Sequence, residues 1–192
     1  MCSYFVACHS TAMSIMELLE IGLDLPSGAL TEKCTPPVSE LRMNRYPSVS
    51  TSKFKEGLTK RNWAHSDFGV ITLLFQDNVG GLELENRRKP GTFEPATKGS
   101  PNEMLVLVSD TFQRWSNGVV KSGLHQVGPP PSLKGTEDCI LPERYSSVFF
   151  FKANRNVSVG PLPQFVGPQQ PAKYDNISAL QLHQQLTSIL YK

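Results

Sequence analysis

The chain has 192 residues, a net charge of +2, 39% hydrophobic residues and 19% charged residues. This length fits one domain with a sizeable core, and the near-neutral charge gives no reason to expect a nucleic acid or an acidic membrane as partner. The chain has no membrane-length apolar run, no secretion-signal pattern before Lys33 and four scattered cysteines without a CxxC pair, so we expect a cytoplasmic protein with no membrane span.

The first predicted element is a helix over residues 4–22, because apolar residues recur there at steps of three and four. Residues 41–46 alternate apolar and polar side chains and predict a short strand. Residues 47–61 are rich in serine, threonine and lysine, which indicates a surface loop. The next strand is predicted to run unbroken over 64–75, with 70–75 buried on both faces.

Short strands separated by turns are predicted for most of the remaining chain. The predicted elements are strands over 82–85, 104–108, 124–127 and 144–151, a tight turn at 116–118, a polar loop over 132–143, a proline-rich connector over 160–171 and a helix over 178–191. The charged tip at 85–91 is typical of a solvated hairpin turn, since no basic or aromatic patch supports it as a nucleic-acid site. The pattern favours an antiparallel jelly roll, so the predicted fold class is mainly β with flanking helices.

Two candidate metal ligands lie at the start of the strand predicted over 64–75. His65 and Asp67 are two residues apart, so on a strand they share a face, and Ser66 points away. His125 lies in a later strand-like segment that a jelly roll can bring to the same cavity. Two imidazoles and one carboxylate form the iron site of non-heme oxygenases, which leaves positions open for substrate and O2. Because HxD is common by chance, these three residues alone leave open whether iron binds.

A candidate anion receptor lies on the last predicted strand. Arg144 and Ser146 share a face, and an arginine fork beside a hydroxyl suits a carboxylate. The same face continues to Phe150, which offers an aromatic wall, whereas Phe149 and Phe151 are expected in the core. A surface ion pair for Arg144 is the alternative. The remaining histidines, His9 and His183, have no carboxylate at ligand spacing and are expected to be packing or surface residues.

Six segments together resemble the isopenicillin N synthase-like family of iron and 2-oxoglutarate dependent oxygenases. They are Leu41–Pro47, His65–Asp67, Gly81–Leu84, Asp110–Gly118, Lys121–Val127 and Arg144–Ser146, in this order, within a resemblance that spans residues 4–191. The sequence departs from the family at Ser109, where glycine is frequent, and at Gln126, where arginine is common. Since the given sequence shows no counterpart of the long N-terminal region that helps to wall the substrate pocket in the family, we expect an N-terminally shortened member.

The resemblance implies a double-stranded β-helix of the cupin-like jelly-roll type with Fe(II) held by His65, Asp67 and His125. It implies that Arg144 and Ser146 bind the distal carboxylate of 2-oxoglutarate, with Tyr46 and Asn44 as further co-substrate contacts. Phe150 falls where the family often places an aromatic residue against the prime substrate. We expect one oxygenase domain over 1–192, made of a leading helix (1–28), a jelly-roll core (41–157) and a connector with the C-terminal helix (158–192).

The leading hypothesis is an Fe(II)- and 2-oxoglutarate-dependent dioxygenase. It would use O2 to hydroxylate, desaturate or cyclise a small organic molecule, with secondary metabolism as the expected setting, and would release succinate and CO2. One alternative is an iron-dependent oxidase of the same fold that does not use 2-oxoglutarate. The other is an inactive, shortened homologue that acts as a binding protein. We expect a monomer with a small-molecule substrate and with neither nucleic acid nor membrane as partner.

Overall fold

The computed structural model describes residues 2–55, 59–96, 100, 102–133 and 139–190. The α-helices of this part are α1 (Cys2–Gly22), α2 (Ser52–Lys55), α3 (Asp110–Trp115) and α4 (Ala179–Leu190). The strands are β1 (Glu40–Tyr46), β2 (Val49–Ser50), β3 (Asn62–His65), β4 (Ile71–Gln76), β5 (Leu82–Glu85), β6 (Phe93–Pro95), β7 (Leu105–Val108), β8 (His125–Val127), β9 (Ile140–Leu141) and β10 (Arg144–Phe151). Parts of the two predicted loops, at 56–58 and 134–138, and residue 191 of the predicted last helix lie outside the described residues.

Two four-stranded antiparallel sheets form the frame of the molecule. The larger sheet has the order β1-β10-β4-β7 and the smaller one the order β3-β8-β5-β6, while β2 pairs with β9. Leu74 and Val148 of the larger sheet pack with Leu82 and Val127 of the smaller one in a buried apolar cluster. The two sheets therefore face each other, and the predicted jelly roll with flanking helices is confirmed.

Alternate side chains of β10 enter two different environments. Phe149 and Phe151 are fully buried on the outer side of the larger sheet, in a core that includes Ala12 and Met16 of α1. The rings of Phe5 and Phe149 meet edge to face with centroids 5.1 Å apart. Burial of a phenylalanine side chain stabilises a fold by about 1.5–3 kcal/mol, so this layer fixes β10 firmly. The alternate residues Ser146, Val148 and Phe150 line the space between the sheets, as the period of two predicts.

The prediction of one unbroken strand over 64–75 is wrong. The chain leaves the smaller sheet after His65, the last residue of β3, and enters the larger sheet at Ile71, the first residue of β4. Asp67 therefore lies in the crossing segment and not on a strand. Ser66 is among the residues that line the cavity between the sheets.

Backbone contacts with distant segments fix this crossing. The Val70 amide donates to the Phe151 carbonyl at 2.8 Å, and the Asp110 amide donates to the Asp67 carbonyl at 2.8 Å. A Cβ atom on Gly69 would lie 2.5 Å from the Phe151 carbonyl oxygen, so only glycine permits this approach. The partners are far away in sequence, which is why the local apolar pattern predicted a continuous strand.

Several short elements differ from the sequence-based expectations. The predicted loop over 47–61 contains β2 and α2, the predicted polar loop over 132–143 contains β9, and β6 and α3 were not predicted. Helix α3 has six residues, too few for the 3.6-residue pattern to be recognised. Along the described residues, no helix combines the length and the apolar character that a bilayer crossing requires.

Candidate functional site

Three side chains with metal-binding atoms meet at one end of the smaller sheet. His65 and His125 are cross-strand partners on β3 and β8, and their ring centroids lie 4.3 Å apart. Asp67 follows β3 directly, and its Oδ1 lies 3.8 Å from His65 Nε2. The candidate ligand atoms of the three residues all lie within 4.8 Å of one another. The structure thus brings together the three residues that the sequence predicted as ligands, although Asp67 arrives by the crossing segment and not along a strand.

Hydrogen bonds leave one nitrogen of each imidazole free to bind a metal. His65 Nδ1 lies 2.7 Å from the Trp63 carbonyl oxygen, and His125 Nδ1 lies 2.9 Å from the Gly123 carbonyl oxygen. Because a carbonyl oxygen only accepts, each Nδ1 carries a proton, and in the neutral form of each ring Nε2 is then the nitrogen with the lone pair. Burial lowers the pKa of His125, although the Asp67 carboxylate opposes this, and the lowered pKa favours the neutral imidazole that a metal ligand requires.

The carboxylate of the cluster is held in a similar way. Asp67 is buried, and its Oδ2 accepts a hydrogen bond from the Thr72 hydroxyl at 2.6 Å. The same hydroxyl lies 3.3 Å from the Ser109 hydroxyl, so Thr72 is itself oriented by a neighbour. Oδ1 remains for a metal. Two imidazole nitrogens and one carboxylate oxygen, each oriented by a second group, fit Fe(II).

A buried guanidinium lies on the facing sheet. Arg144 is 1% exposed, and its Nε donates to the Gly80 carbonyl at 3.0 Å while its Nη2 donates to the Gln76 side-chain oxygen at 2.7 Å. Its guanidinium carbon lies 5.0 Å from the centre of the Tyr46 ring. Nη1 is buried and has no hydrogen-bond partner among the described residues. A buried cation with an unpaired donor is costly, so Arg144 is a candidate receptor for an anion. Burial lowers the pKa of Arg144, and Tyr46 and Asp77 oppose this effect.

The predicted co-substrate residues converge because β1 and β10 pair in one register. Tyr46 opposes Arg144 and Asn44 opposes Ser146 across the two strands, and Asn44 Nδ2 donates to Ser146 Oγ at 3.4 Å. These four residues line the same cavity as His65, Asp67 and His125, and its volume is about 370 Å³. The cavity thus brings a candidate metal-binding cluster and a candidate anion receptor together.

The outer part of this cavity contains charged residues that the sequence analysis missed. Glu40 bridges Arg42 at 2.6 Å and Lys152 at 2.8 Å, and the Arg42 guanidinium carbon lies 5.2 Å from the centre of the Phe150 ring. His183 reaches the cavity from α4 and packs edge to face against Phe68. The period of two could have identified Glu40, Arg42 and Lys152 as residues of the cavity face. Glu40 and Arg42 precede Asn44 on the same face of β1, and Lys152, directly after β10, follows Phe150 at the same spacing.

Glu40, which bridges the two cations of this charged group, has a lowered pKa. A hydrogen bond from the Lys152 ammonium is the main reason why the pKa of Glu40 falls to about 2, with Arg42 adding to the effect.

His9, the remaining histidine, packs against Phe151 with ring centroids 5.6 Å apart and takes no part in the site.

The amino-acid sequence of the chain is similar to one family model and to several known proteins. The family model of the 2OG-Fe(II) oxygenase superfamily matches residues 38–153. The 2-oxoglutarate-dependent dioxygenase imqE of Aspergillus flavus is 47% identical over 189 residues, which cover 98% of this chain and 52% of that protein. The 2-oxoglutarate-dependent dioxygenase phqC of Penicillium fellutanum is 45% identical over 188 residues, covering 98% of this chain and 53% of that protein.

Solved structures show the same arrangement of the chain. A full-length protein of Neurospora crassa, solved in complex with alpha-KG and thymine, superimposes with a TM-score of 0.85 at 30% sequence identity, covering 97% of this chain and 55% of that chain. The present chain therefore spans about half the length of the curated relatives and solved structures that it matches.

Proposed function

The chain belongs to the 2OG-Fe(II) oxygenase superfamily, and from this we propose that it is an Fe(II)- and 2-oxoglutarate-dependent oxygenase of a small organic molecule. The reaction would hydroxylate, desaturate or cyclise the substrate, within secondary metabolism, and release succinate and CO2. One observation carries the proposal: the free Nη1 of buried Arg144 faces no protein acceptor among the described residues, in a cavity that also holds His65, Asp67 and His125. The names of the relatives imqE and phqC support the same class.

His65, Asp67 and His125 would hold Fe(II) through two Nε2 atoms and one Oδ1. Bound iron supplies the redox chemistry by which O2 and 2-oxoglutarate oxidise the substrate. The carbonyls of Trp63 and Gly123 keep the imidazoles in the tautomer that can bind a metal. The protein's part is to orient these groups before any ligand arrives.

Arg144 would bind the distal carboxylate of 2-oxoglutarate through Nη1, beside the Ser146 hydroxyl. Tyr46 and Asn44 complete this receptor from β1, with Tyr46 stacked against the guanidinium. Arg144 and Ser146 are both buried, and this low-dielectric environment strengthens a charge-assisted hydrogen bond. We assign Phe150 to the wall of the prime substrate pocket, because it lies on the cavity face of β10.

The proposal also covers the setting of the enzyme. We propose that residues 1–192 act as one oxygenase domain, with the core over 41–157 holding all eight site residues, and as a monomer without a nucleic acid or membrane partner. We also propose a cytoplasmic location, which is supported by the small number of scattered cysteines and the lack of a CxxC pair in the sequence.

Anaerobic absorption spectroscopy tests the proposal directly. The chain with Fe(II) and 2-oxoglutarate should give a weak visible charge-transfer band that neither addition gives alone. Asp67→Ala should abolish the band, whereas exchange of an exposed carboxylate outside the site, Asp24→Ala, should leave it intact. A folded chain that gives no band would contradict the proposal and favour the inactive binding protein.

Oxygen consumption separates the proposed enzyme from an oxidase of the same fold that does not use 2-oxoglutarate. With iron and substrate present, uptake of O2 should require added 2-oxoglutarate. The unpartnered Nη1 of Arg144 supports this dependence, since an oxidase without a second anion would leave that donor without a role. O2 uptake that is independent of 2-oxoglutarate would establish the oxidase instead.

A further inference from the structure

A second cavity, lined in part by α4, adjoins the cavity that contains the candidate metal ligands, which is called the active-site cavity below. Its volume is about 270 Å³, and apolar side chains such as Val38 and Leu180 form part of its wall. The two cavities share four lining residues, which are Phe68, Gly69, Lys152 and His183. Phe68 and His183 stand edge to face between them with centroids 6.1 Å apart. Lys152 lines both cavities, so a molecule in the first cavity can reach it without passing these two rings.

The second cavity is positively charged. Lys152 and Arg155 line it, and no carboxylate is among its lining residues in the described part of the chain. The Lys152 side chain is only 23% exposed, and its ammonium makes one hydrogen bond to a described side chain, that of Glu40. An ammonium has three donors, so two remain for a ligand. Arg155 is exposed, and no side-chain hydrogen bond or ion pair joins it to another described residue.

The positive charges of this cavity also act on the pKa of His183. Burial lowers the pKa of His183, and the cations of Lys152 and Arg155 lower it further, while only Glu40 acts in the other direction. Basic residues on a surface are ordinarily solvated and need no ligand. Lys152 differs because it is largely buried at the junction of two cavities, at the end of a strand face that also carries Ser146 and Phe150.

We propose that the prime substrate carries a carboxylate on an apolar body, and that Lys152, assisted by Arg155, binds this carboxylate at the junction of the two cavities. The apolar body would lie between Phe150 and Phe68, where aromatic rings form the walls. This substrate class rests on the proposed oxygenase function, but the carboxylate site is defined by residues outside the metal cluster and the 2-oxoglutarate receptor.

Glu40 gives the proposal a second, opposite test. Its carboxylate occupies one donor of Lys152 and one of Arg42, so it competes with an incoming carboxylate for both cations. Removing the charge of Glu40 should therefore tighten binding of an acid, whereas removing the charge of Lys152 should weaken it. A merely structural role of the Glu40–Lys152 pair would make both changes act in the same direction.

Calorimetry with simple probes tests these expectations. The chain is saturated with Fe(II) and 2-oxoglutarate without O2, so that Arg144 is occupied, and is then titrated with phenylacetate, hydrocinnamate and their neutral amides. At least one acid should bind about tenfold more tightly than its amide, the size of effect that one charge-assisted hydrogen bond gives. Lys152→Met should remove this preference, Lys152→Arg should retain most of it, and Glu40→Gln should increase it severalfold. Lys173→Met, at an exposed lysine outside both cavities, is the matched control and should bind as the unmodified chain does.

Failure of the inference can be told apart from failure of the proposed function. Suppose first that the charge-transfer band forms. The inferred substrate class is then wrong if no acid binds, if acids and amides bind equally, or if Lys152→Met keeps the preference for acids. The oxygenase assignment remains in each of these cases. If no band forms, the same titrations are run on the metal-free chain with 2-oxoglutarate present. An acid preference that depends on Lys152 there would support the carboxylate site, while the missing band would contradict only the proposed function.

Discussion

Replacing Arg144 by methionine tests the anion receptor, because methionine keeps most of the volume and removes the charge. Arg144 has one buried donor, Nη1, that faces no described acceptor. One charge-assisted hydrogen bond contributes about 1.5–3 kcal/mol, and every 1.4 kcal/mol changes a dissociation constant about tenfold. We therefore expect the Kd of 2-oxoglutarate to rise about 10–100-fold in Arg144→Met.

The comparison ligand is 2-oxopentanoate, which has the same keto acid end but no distal carboxylate. Its Kd should be nearly the same in the unmodified chain and in Arg144→Met, since only the distal carboxylate contacts Arg144. The preference for 2-oxoglutarate over 2-oxopentanoate should thus collapse in the variant. Both constants are measured by anaerobic titration with Fe(II), followed at the visible band.

Controls separate recognition from folding. Arg144→Met also removes the donor to the Gly80 carbonyl, which costs about 1–3 kcal/mol of stability, so each variant is first checked by circular dichroism. Arg144→Lys keeps the buried charge but loses the fork, and should retain part of the preference. Arg45→Met, at an exposed arginine on β1 that pairs with Glu143, should leave both constants unchanged. A folded Arg144→Met that still prefers 2-oxoglutarate by the full factor would refute the receptor.

Three further outcomes follow from the site and the core. His65→Ala or Asp67→Ala should abolish iron-dependent turnover of 2-oxoglutarate, and unchanged succinate release in either variant would contradict the metal assignment. Thr72→Val removes the hydroxyl that orients the Asp67 carboxylate and should weaken Fe(II) binding about 10–100-fold in an anaerobic titration, while Thr72→Ser should bind nearly normally. Burial raises the pKa of the Cys34 thiol to about 12, so iodoacetamide at neutral pH should label exposed Cys2 and spare Cys34 until the chain unfolds. Mass spectrometry measures this difference, and equal labelling of both thiols in the folded chain would show that the core around Cys34 is open.

The features that were predictable from the sequence depend on short periodic patterns. The period of two placed Arg144 and Ser146 on one face of β10 and Phe149 on the other, and the structure has both placements. Helix α1 was recognisable because its apolar residues recur over 21 residues. In both cases neighbouring residues along the chain supply the signal, so no knowledge of distant partners was needed.

The features that the sequence did not reveal depend on contacts between distant segments. The crossing between β3 and β4 is fixed by Phe151 and Asp110, and the local apolar run gave no sign of it. The sequence around Lys152 gives no signal of a binding role, because a charged residue at a strand end is typical of a solvated position. Only the docking of α4, which brings His183 beside it, shows that Lys152 lines two cavities.

The register of β1 and β10 has a consequence for the order in which this protein folds. Asn44 and Ser146 are 102 residues apart, and β10 lies between β1 and β4 in the finished sheet although it is the last strand of that sheet to be synthesised. A growing chain that ends before β10 has two strand edges without their central partner and only half of the carboxylate receptor. Such long-range closure is slow, and the exposed edges invite wrong pairing until it occurs. Because a ligand stabilises only the state that binds it, 2-oxoglutarate can favour the native chain only after this last strand has been inserted.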